Sequence, residues 1–307
     1  MKGQRQPPST LPAIKDAAKS QMKRLIVNAD DFGFTRGVNI GIVRGFKAGI
    51  VTSATIMANG DAFEEAVELT RANPGLGIGC HLAIIGGSPI APASEVPSLV
   101  DRAGALPSTL TKLVMKLARD SITSDQIARE FRAQVERVKR AGINITHFDT
   151  HKHSHTHPKV MEALAQVAGE FGITRVRNPF ERLFSGRLGS QLTWAYWKQS
   201  ALSAGVAPAA IEFKRIVESY GLKSPDNFYG VKLTGMLDSR AIRSIMESLG
   251  EGTAELMCHP GVFDDELEGA RTRLKQQRER ELEAVTDSTL RSAAKDLGIE
   301  LISYREL

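Results

Sequence analysis

Cysteine is nearly absent: Cys80 and Cys258 are the only two among 307 residues, and they lie far apart in the chain. A disulfide framework is therefore excluded as the basis of the fold, and the composition suits a reducing, cytoplasmic setting. No apolar run approaches the ~18 residues of a membrane-spanning helix. No block of like charge occurs and basic residues are not interleaved with aromatics. The surplus of +5 (40 Lys and Arg less 35 Asp and Glu) is thus scattered, and gives no groove for nucleic acid. Phosphate-cradling motifs are missing too: Gly33 and Gly37 lie near a strand–helix turn, but neither GxxxxGK nor GxGxxG occurs there. The first 22 residues are polar and basic, with Pro7-Pro8 and no apolar core, which argues against a signal peptide and predicts a loosely ordered tail. What is present is a 42% hydrophobic fraction, enough to fill the core of a large domain over residues 23–307.

From Arg24 the pattern alternates strand and helix. Arg24–Ala29, Val51–Ala58, Leu76–Leu82, Asn144–Asp149, Thr174–Arg177, Phe228–Thr234, Thr253–Met257 and Ile299–Ser303 read as strands. Thr35–Gly49 reads as a helix with Val38, Ile42 and Phe46 on one face, and Ala62–Arg71, Leu110–Arg119, Ser124–Ala141, Pro158–Phe171 and Ser239–Leu249 follow suit, with Ser124 as a cap. Phe180–Gly221 is mostly helical with a poor pattern, and Glu266–Asp296 is charged and helical. Gly86–Ala105, rich in Pro and Gly, is a long loop of the kind that often forms a lid. Repeated βα units with short turns predict parallel strands with helices outside. The fold class is α/β, a single-domain distorted (β/α) barrel of about seven parallel strands, favoured over an open doubly wound sheet.

Ionisable residues collect where these strands end. Asp30 and Asp31 close the first strand, His81 the third, and His259 follows the strand ending at Met257; His151, His153, His155 and His157 lie just past the fourth. In parallel α/β folds the C-terminal strand ends form one face, where active sites lie. Two adjacent carboxylates repel, and a cation is the simplest counterweight. Asp31, His81 and His151 are the ligands chosen, leaving open positions as catalytic sites do. His155 is the nearest rival of His151, through an H-x3-H spacing; His153 is assigned to substrate or to support of a ligand. His147, inside its strand, is expected to be buried with a local hydrogen bond. Asp30, freed from the metal, stands as general base, or else orients a ligand histidine. His259 stands as general acid, with Asp149 or Asp264 as partner, or else as a structural turn before Pro260. Asn59 and Arg177 are further substrate-binding candidates, Arg177 being preferred over Arg175 because alternate residues of a strand face opposite ways. By the same rule Cys80 and Cys258 turn away from the site as small buried apolar residues.

NADDFG at Asn28–Gly33, GIVTS at Gly49–Ser53, GCHL at Gly79–Leu82, DTHKHSH at Asp149–His155 and MCHPG at Met257–Gly261 resemble, in order, the YdjC-type carbohydrate deacetylases, which include chitooligosaccharide and hopanoid-biosynthesis deacetylases. The resemblance implies a (β/α)-barrel-like fold and removal of acetyl groups from N-acetylated amino sugars. It carries the metal ligands onto Asp31, His81 and His151, the base onto Asp30 and a general acid onto His259. It implies magnesium as the cofactor, while the ligand set suits zinc at least as well. The loop Gly86–Ala105 and the segment after Arg177 depart from both subgroups, so the particular sugar is left open, as is a homodimer. Two other functions are weighed against this one. A phosphoesterase would usually need more carboxylates at the site, and a non-catalytic carbohydrate-binding protein would have no use for Asp30, the metal set and His259 together.

Overall fold

The computed structural model describes residues 22–181 and 208–307, with 200 and 205 between them. The predicted tail, Met22 apart, and most of the predicted helical stretch Phe180–Gly221 lie outside the described residues. In chain order the elements are β1 (Lys23–Phe32), α1 (Arg36–Ala48), β2 (Ser53–Ile56), α2 (Phe63–Ala72), β3 (Gly77–Leu82), α3 (Leu110–Ala118), α4 (Ser124–Arg140), β4 (Phe148–Thr150), α5 (Pro158–Phe171), α6 (Ala209–Ser219), β5 (Asn227–Tyr229), α7 (Ser239–Ser248), β6 (Gly252–Cys258), α8 (Asp265–Gly269), α9 (Gln277–Val285), α10 (Thr289–Asp296) and β7 (Ile299–Ile302). The strands form one seven-stranded sheet in the order β4-β3-β2-β1-β6-β5, with β7 also on β1, and every pairing is parallel. Single parallel bridges from Phe148 to Val176 and from Arg175 to Lys223 carry the ring from β4 round toward the run that enters β5. The sheet thus curls into a distorted barrel with its helices outside.

Alternation along the strands divides two environments. Leu25, Val27 and Ala29 of β1, Ala54 and Ile56 of β2, Ile78, Cys80 and Leu82 of β3, and Ala254, Leu256 and Cys258 of β6 belong to the main apolar core under the helices. Both cysteines are buried and unpaired on this outer side, as the alternation predicts. The residues between them include Asn28 and Asp30, Ser53 and Thr55, His81, and Glu255, all buried polar groups. The barrel interior therefore carries a hydrogen-bonded polar network beside a small apolar cluster of Ile26, Ile302 and Tyr304, where such barrels commonly have aliphatic layers throughout. His147 belongs to it: Thr146 Oγ1 lies 2.8 Å from its Nδ1, and its ring stacks on Tyr304 at 3.5 Å between centroids. Gly79 makes room for that ring, since a Cβ there would come within 2.4 Å of it.

Several boundaries differ from the sequence reading. The fourth strand covers only Phe148–Thr150, and Thr174–Arg177 contributes isolated bridges, because both segments pair through few residues. β5 stops at Tyr229, before Gly230 at φ 116°. The cap of α4 is Thr123, whose hydroxyl accepts from the Gln126 N–H, and Ser124 is the first helical residue. The long loop exists but is tied down: Glu130 accepts from the N–H groups of Ile90 and Ala91, Gln126 from Ser98, and Gln134 from Ala83.

Candidate active site

Regular alternation would send Asp30 and Asp31 to opposite faces of β1. The chain resolves this with a bulge. Between Ala29 and Phe32 the register against β2 slips by one residue, and Asp31 takes the left-handed conformation at φ 71°. Aspartate tolerates that region better than most residues, and strain of this kind gathers at functional sites. A second irregularity follows β4, where Lys152 and His153 have φ 54° and 51° inside a tight turn of His151–Thr156.

The result is a compact donor cluster. Asp31 Oδ1 lies 3.4 Å from His81 Nε2 and 3.2 Å from His151 Nδ1, and the two nitrogens are 3.3 Å apart. Donors about 2.0–2.1 Å from one tetrahedral ion stand about 3.3 Å from each other, so the spacing fits a shared cation. Among the described residues Asp31 Oδ1 is also a buried oxygen without a hydrogen-bond partner, which an ion would satisfy. His81 Nδ1 lies 2.8 Å from Asp149 Oδ1, so its N–H donates to the carboxylate, which aims Nε2 at the cluster. Burial works to lower the His81 pKa, but Asp149, Asp31 and Asp30 override it and push it up to about 10. A field that holds a proton so firmly also favours a metal cation at the same point. Burial would likewise raise Asp31, yet Arg278 and the two histidines bring it well below the ordinary carboxylate range. Burial lowers the His151 pKa, favouring the neutral ring that a metal needs.

Asp30 lies beside this cluster, with an oxygen within 4.8 Å of a His81 ring nitrogen. Arg177 grips it with both terminal nitrogens, Nη1 to Oδ2 at 2.7 Å and Nη2 to Oδ1 at 2.6 Å, and Asn28 Nδ2 donates to Oδ1 at 3.0 Å. These bonds use three of about four acceptor positions on a carboxylate, leaving one on Oδ2. Burial raises the Asp30 pKa, but the guanidinium prevails and holds it well below its usual value.

The description "YdjC-like protein" matches residues 24–296. The chain belongs to the YdjC-like family. It is 36% identical to a carbohydrate deacetylase of Geobacillus stearothermophilus over 92% of its own length and 96% of the relative's. It is 31% identical to a chitooligosaccharide deacetylase of Salmonella typhimurium, covering 92% and 98%. Among solved structures, an Enterococcus faecalis protein provisionally described as a cellobiose-phosphate cleavage protein superposes with a TM-score of 0.74 at 27% identity, covering 93% of this chain and 98% of the other.

The remaining candidates of this YdjC-like chain fall into two groups. Asn59 anchors the long loop, its Nδ2 reaching the carbonyls of Gly86 and Ser88, while its Oδ1 has no partner among the described residues. His153 packs edge-on against Phe228, with Nδ1 buried and unpartnered. These two keep a free polar atom. Arg177 and His155 do not. Arg177 is 0% exposed; its Nε donates to Glu255 and its Nη1 and Nη2 to Asp30, while Asp149 Oδ2 and Glu255 Oε1 lie 2.7 Å from Nη1 and Nη2 as further ion pairs. His155 has Thr150 Oγ1 on Nδ1 at 2.6 Å and the Arg177 carbonyl on Nε2 at 3.1 Å, and burial, with Arg177 nearby, lowers its pKa to about 3. In this structure Arg177 and His155 are fully buried and engaged by their neighbours, and His155 stands apart from the Asp31, His81 and His151 cluster.

His259 follows β6 at the rim. Its backbone N–H donates to Glu281 Oε2 at 2.6 Å, and its Nδ1, otherwise unpartnered among the described residues, lies 3.8 Å from the same oxygen. The two partners expected for it are engaged elsewhere. Asp149 serves His81 and Arg177, and Asp264 caps α8. Glu281 and Arg278, which donates to Asp31 Oδ2, are site residues that the sequence reading missed. Both lie on α9, on one stripe with Leu282 and Val285. Their positions at the buried period of a helix otherwise rich in solvated charge are the signal that marks them.

Proposed function

We propose that the chain is a divalent-cation-dependent N-deacetylase that hydrolyses the acetamide of an N-acetylated amino sugar to acetate and free amine. The observation that carries this is the unpartnered Asp31 oxygen facing His81 and His151, with an ionised Asp30 alongside. The deacetylase relatives support it. Asp31, His81 and His151 would hold the ion. Two imidazoles and one carboxylate suit zinc better than magnesium, which prefers oxygen ligands, although the family resemblance points to magnesium. A bound divalent ion polarises the acyl oxygen and lowers the pKa of water to about 7. Asp30 accepts a proton from the attacking water at its open Oδ2 position as the new C–O bond forms. His259, steadied by Glu281, delivers a proton to the nitrogen as the C–N bond breaks. Asn59 and His153, both half-buried, are the remaining candidates for contact with the sugar. Arg177 and His155 act on Asp30 and the turn from below. Residues 23–307 serve as one deacetylase domain. Among the described residues no helix is long and apolar enough to cross a membrane.

The test is acetate release from N-acetylglucosamine oligosaccharides. Turnover is expected with zinc or magnesium, loss of at least a hundredfold on chelation, and recovery on adding the ion back. Turnover of phosphoesters but no N-acetylated sugar would favour a phosphoesterase, and sugar binding without acetate release a carbohydrate-binding protein.

A further inference from the structure

Helix α9 touches the donor cluster through a cation. Arg278, its second residue, is 1% exposed, and its Nη2 donates to Asp31 Oδ2 at 2.5 Å. The side chain is fixed along its length. Its Nε donates to the Leu274 carbonyl at 3.3 Å, and its own carbonyl accepts the Gly261 N–H at 3.1 Å. A Cβ on Gly261 would come within 3.1 Å of the Arg278 Cδ, so the rim turn after His259 packs directly on the stem. Among the described residues Nη1 is buried without a partner, and Asp31 is the only carboxylate paired with this guanidinium.

A positive charge on the ligand of a cation needs a reason, because like charges repel strongly where water is scarce. A carboxylate can hold a divalent ion through one oxygen or through both. Here the two oxygens of Asp31 are divided: Oδ2 belongs to Arg278, and Oδ1 faces His81 and His151. The Asp31–Arg278 pair is also neutral. With two neutral imidazoles it makes a donor set without net charge, where Asp31 alone would bring a negative one. We propose that Arg278 is a positioning residue that divides Asp31 between itself and the ion: it confines the ion to Oδ1 and offsets the charge of the ligand, so that the ion is held less tightly and stays more electrophilic toward the acyl oxygen. This role rests on the reading that Asp31, His81 and His151 hold a divalent ion.

The test is zinc titration of the metal-free full chain against a chromophoric chelator, for the wild type, Arg278→Met and Arg278→Lys. Methionine keeps much of the stem and removes the charge and the fork. It is expected to bind zinc about tenfold more tightly or better, since the repulsion is gone and Oδ2 is released. With N-acetylated sugar at saturating zinc, kcat should fall about tenfold and KM stay within about twofold, as for an interaction used only in the transition state. Lysine keeps the charge and should stay within about threefold of the wild-type affinity. A merely structural role would loosen zinc in both variants, because a displaced α9 spoils the site. Zinc binding by Arg278→Met no tighter than that of a zinc-binding wild type overturns the proposal, as does a lysine variant that tightens as much as methionine. A wild type that binds no zinc overturns instead the reading of the cluster as a cation site, and the role of Arg278 falls with it. Should Arg278→Met fail to fold, a crystal structure of the zinc-loaded wild type carries the test. Asp31 is expected to meet the ion through Oδ1 alone with Arg278 Nη2 still on Oδ2, and an ion held by both oxygens, or an Arg278 turned away, overturns the proposal.

Discussion

Asp30→Asn is expected to lower acetate release by about a thousandfold while leaving the cation site and the fold in place. General bases are commonly worth 10²–10⁴ in rate, and the amide has the shape of the carboxylate without its ability to take a proton. Metal content should hold, because Asp31, His81 and His151 supply the cluster without it. Stability should hold as well. Arg177 faces three carboxylates, and Glu255 is pushed up to about 7 chiefly by burial, against Arg177, with the Asp30 charge adding to the rise. Removing one negative charge from a crowded set relieves repulsion, and Asp149 and Glu255 still pair the guanidinium. Elemental analysis, thermal melting and turnover on one preparation separate these effects. Near-wild-type turnover would remove Asp30 from the base role and leave it as a counter-charge for Arg177.

Arg177→Met is expected to harm both fold and rate. The methionine leaves three buried carboxylates without the guanidinium they share. Removing one partner of a buried ion pair costs about 3–5 kcal/mol, against a total stability of about 5–15 kcal/mol for a typical domain. The rate should fall at least a hundredfold at pH 7 through Asp30. Burial already favours the protonated acid, and Arg177 is what outweighs burial. Without it the Asp30 pKa rises, so the base is lost on the acid side, and activity should recover in part as pH increases. The wild type, whose Asp30 is held low, should show no such limb from this residue near neutrality. Lysine is not expected to rescue, since one ammonium cannot reproduce the planar fork that holds Asp30 at two points while a third nitrogen reaches Glu255. Denaturant melts and pH–rate profiles of both variants check this, and an unchanged acid limb in Arg177→Met would contradict it.

Much of this architecture is legible in the sequence because it rests on local rules. Strand–helix alternation gives the parallel barrel, and period-two alternation places Cys80 and Cys258 behind the site. The strand-end positions of Asp31, His81 and His151 suffice to bring them together, and the family motifs mark the same residues. What the sequence hides depends on the third dimension. Nothing local says that Asp31 leaves the strand alternation through a bulge, which alone lets two adjacent aspartates face one site. Nor does the sequence show the inside of the barrel: Arg177 reads as a rim residue, yet curling of the sheet buries it under Asp30 and turns a substrate contact into an electrostatic clamp. Glu281 and Arg278 hide in a charged helix some twenty residues from His259, where composition resembles solvated surface. The same limit explains the partner of His259. Asp149 and Asp264 are its plausible neighbours in sequence terms, but one is claimed by His81 and the other by a helix N-terminus.

The most direct measurement is anomalous diffraction from crystals of the wild-type chain grown with zinc and, separately, with manganese as a stand-in for magnesium. One peak is predicted, bonded to Asp31 Oδ1, His81 Nε2 and His151 Nδ1 at about 2.0–2.2 Å. A peak held instead by Asp30, His81 and Asp149, or no peak at these strand ends when the metal is present at saturating concentration, would contradict it.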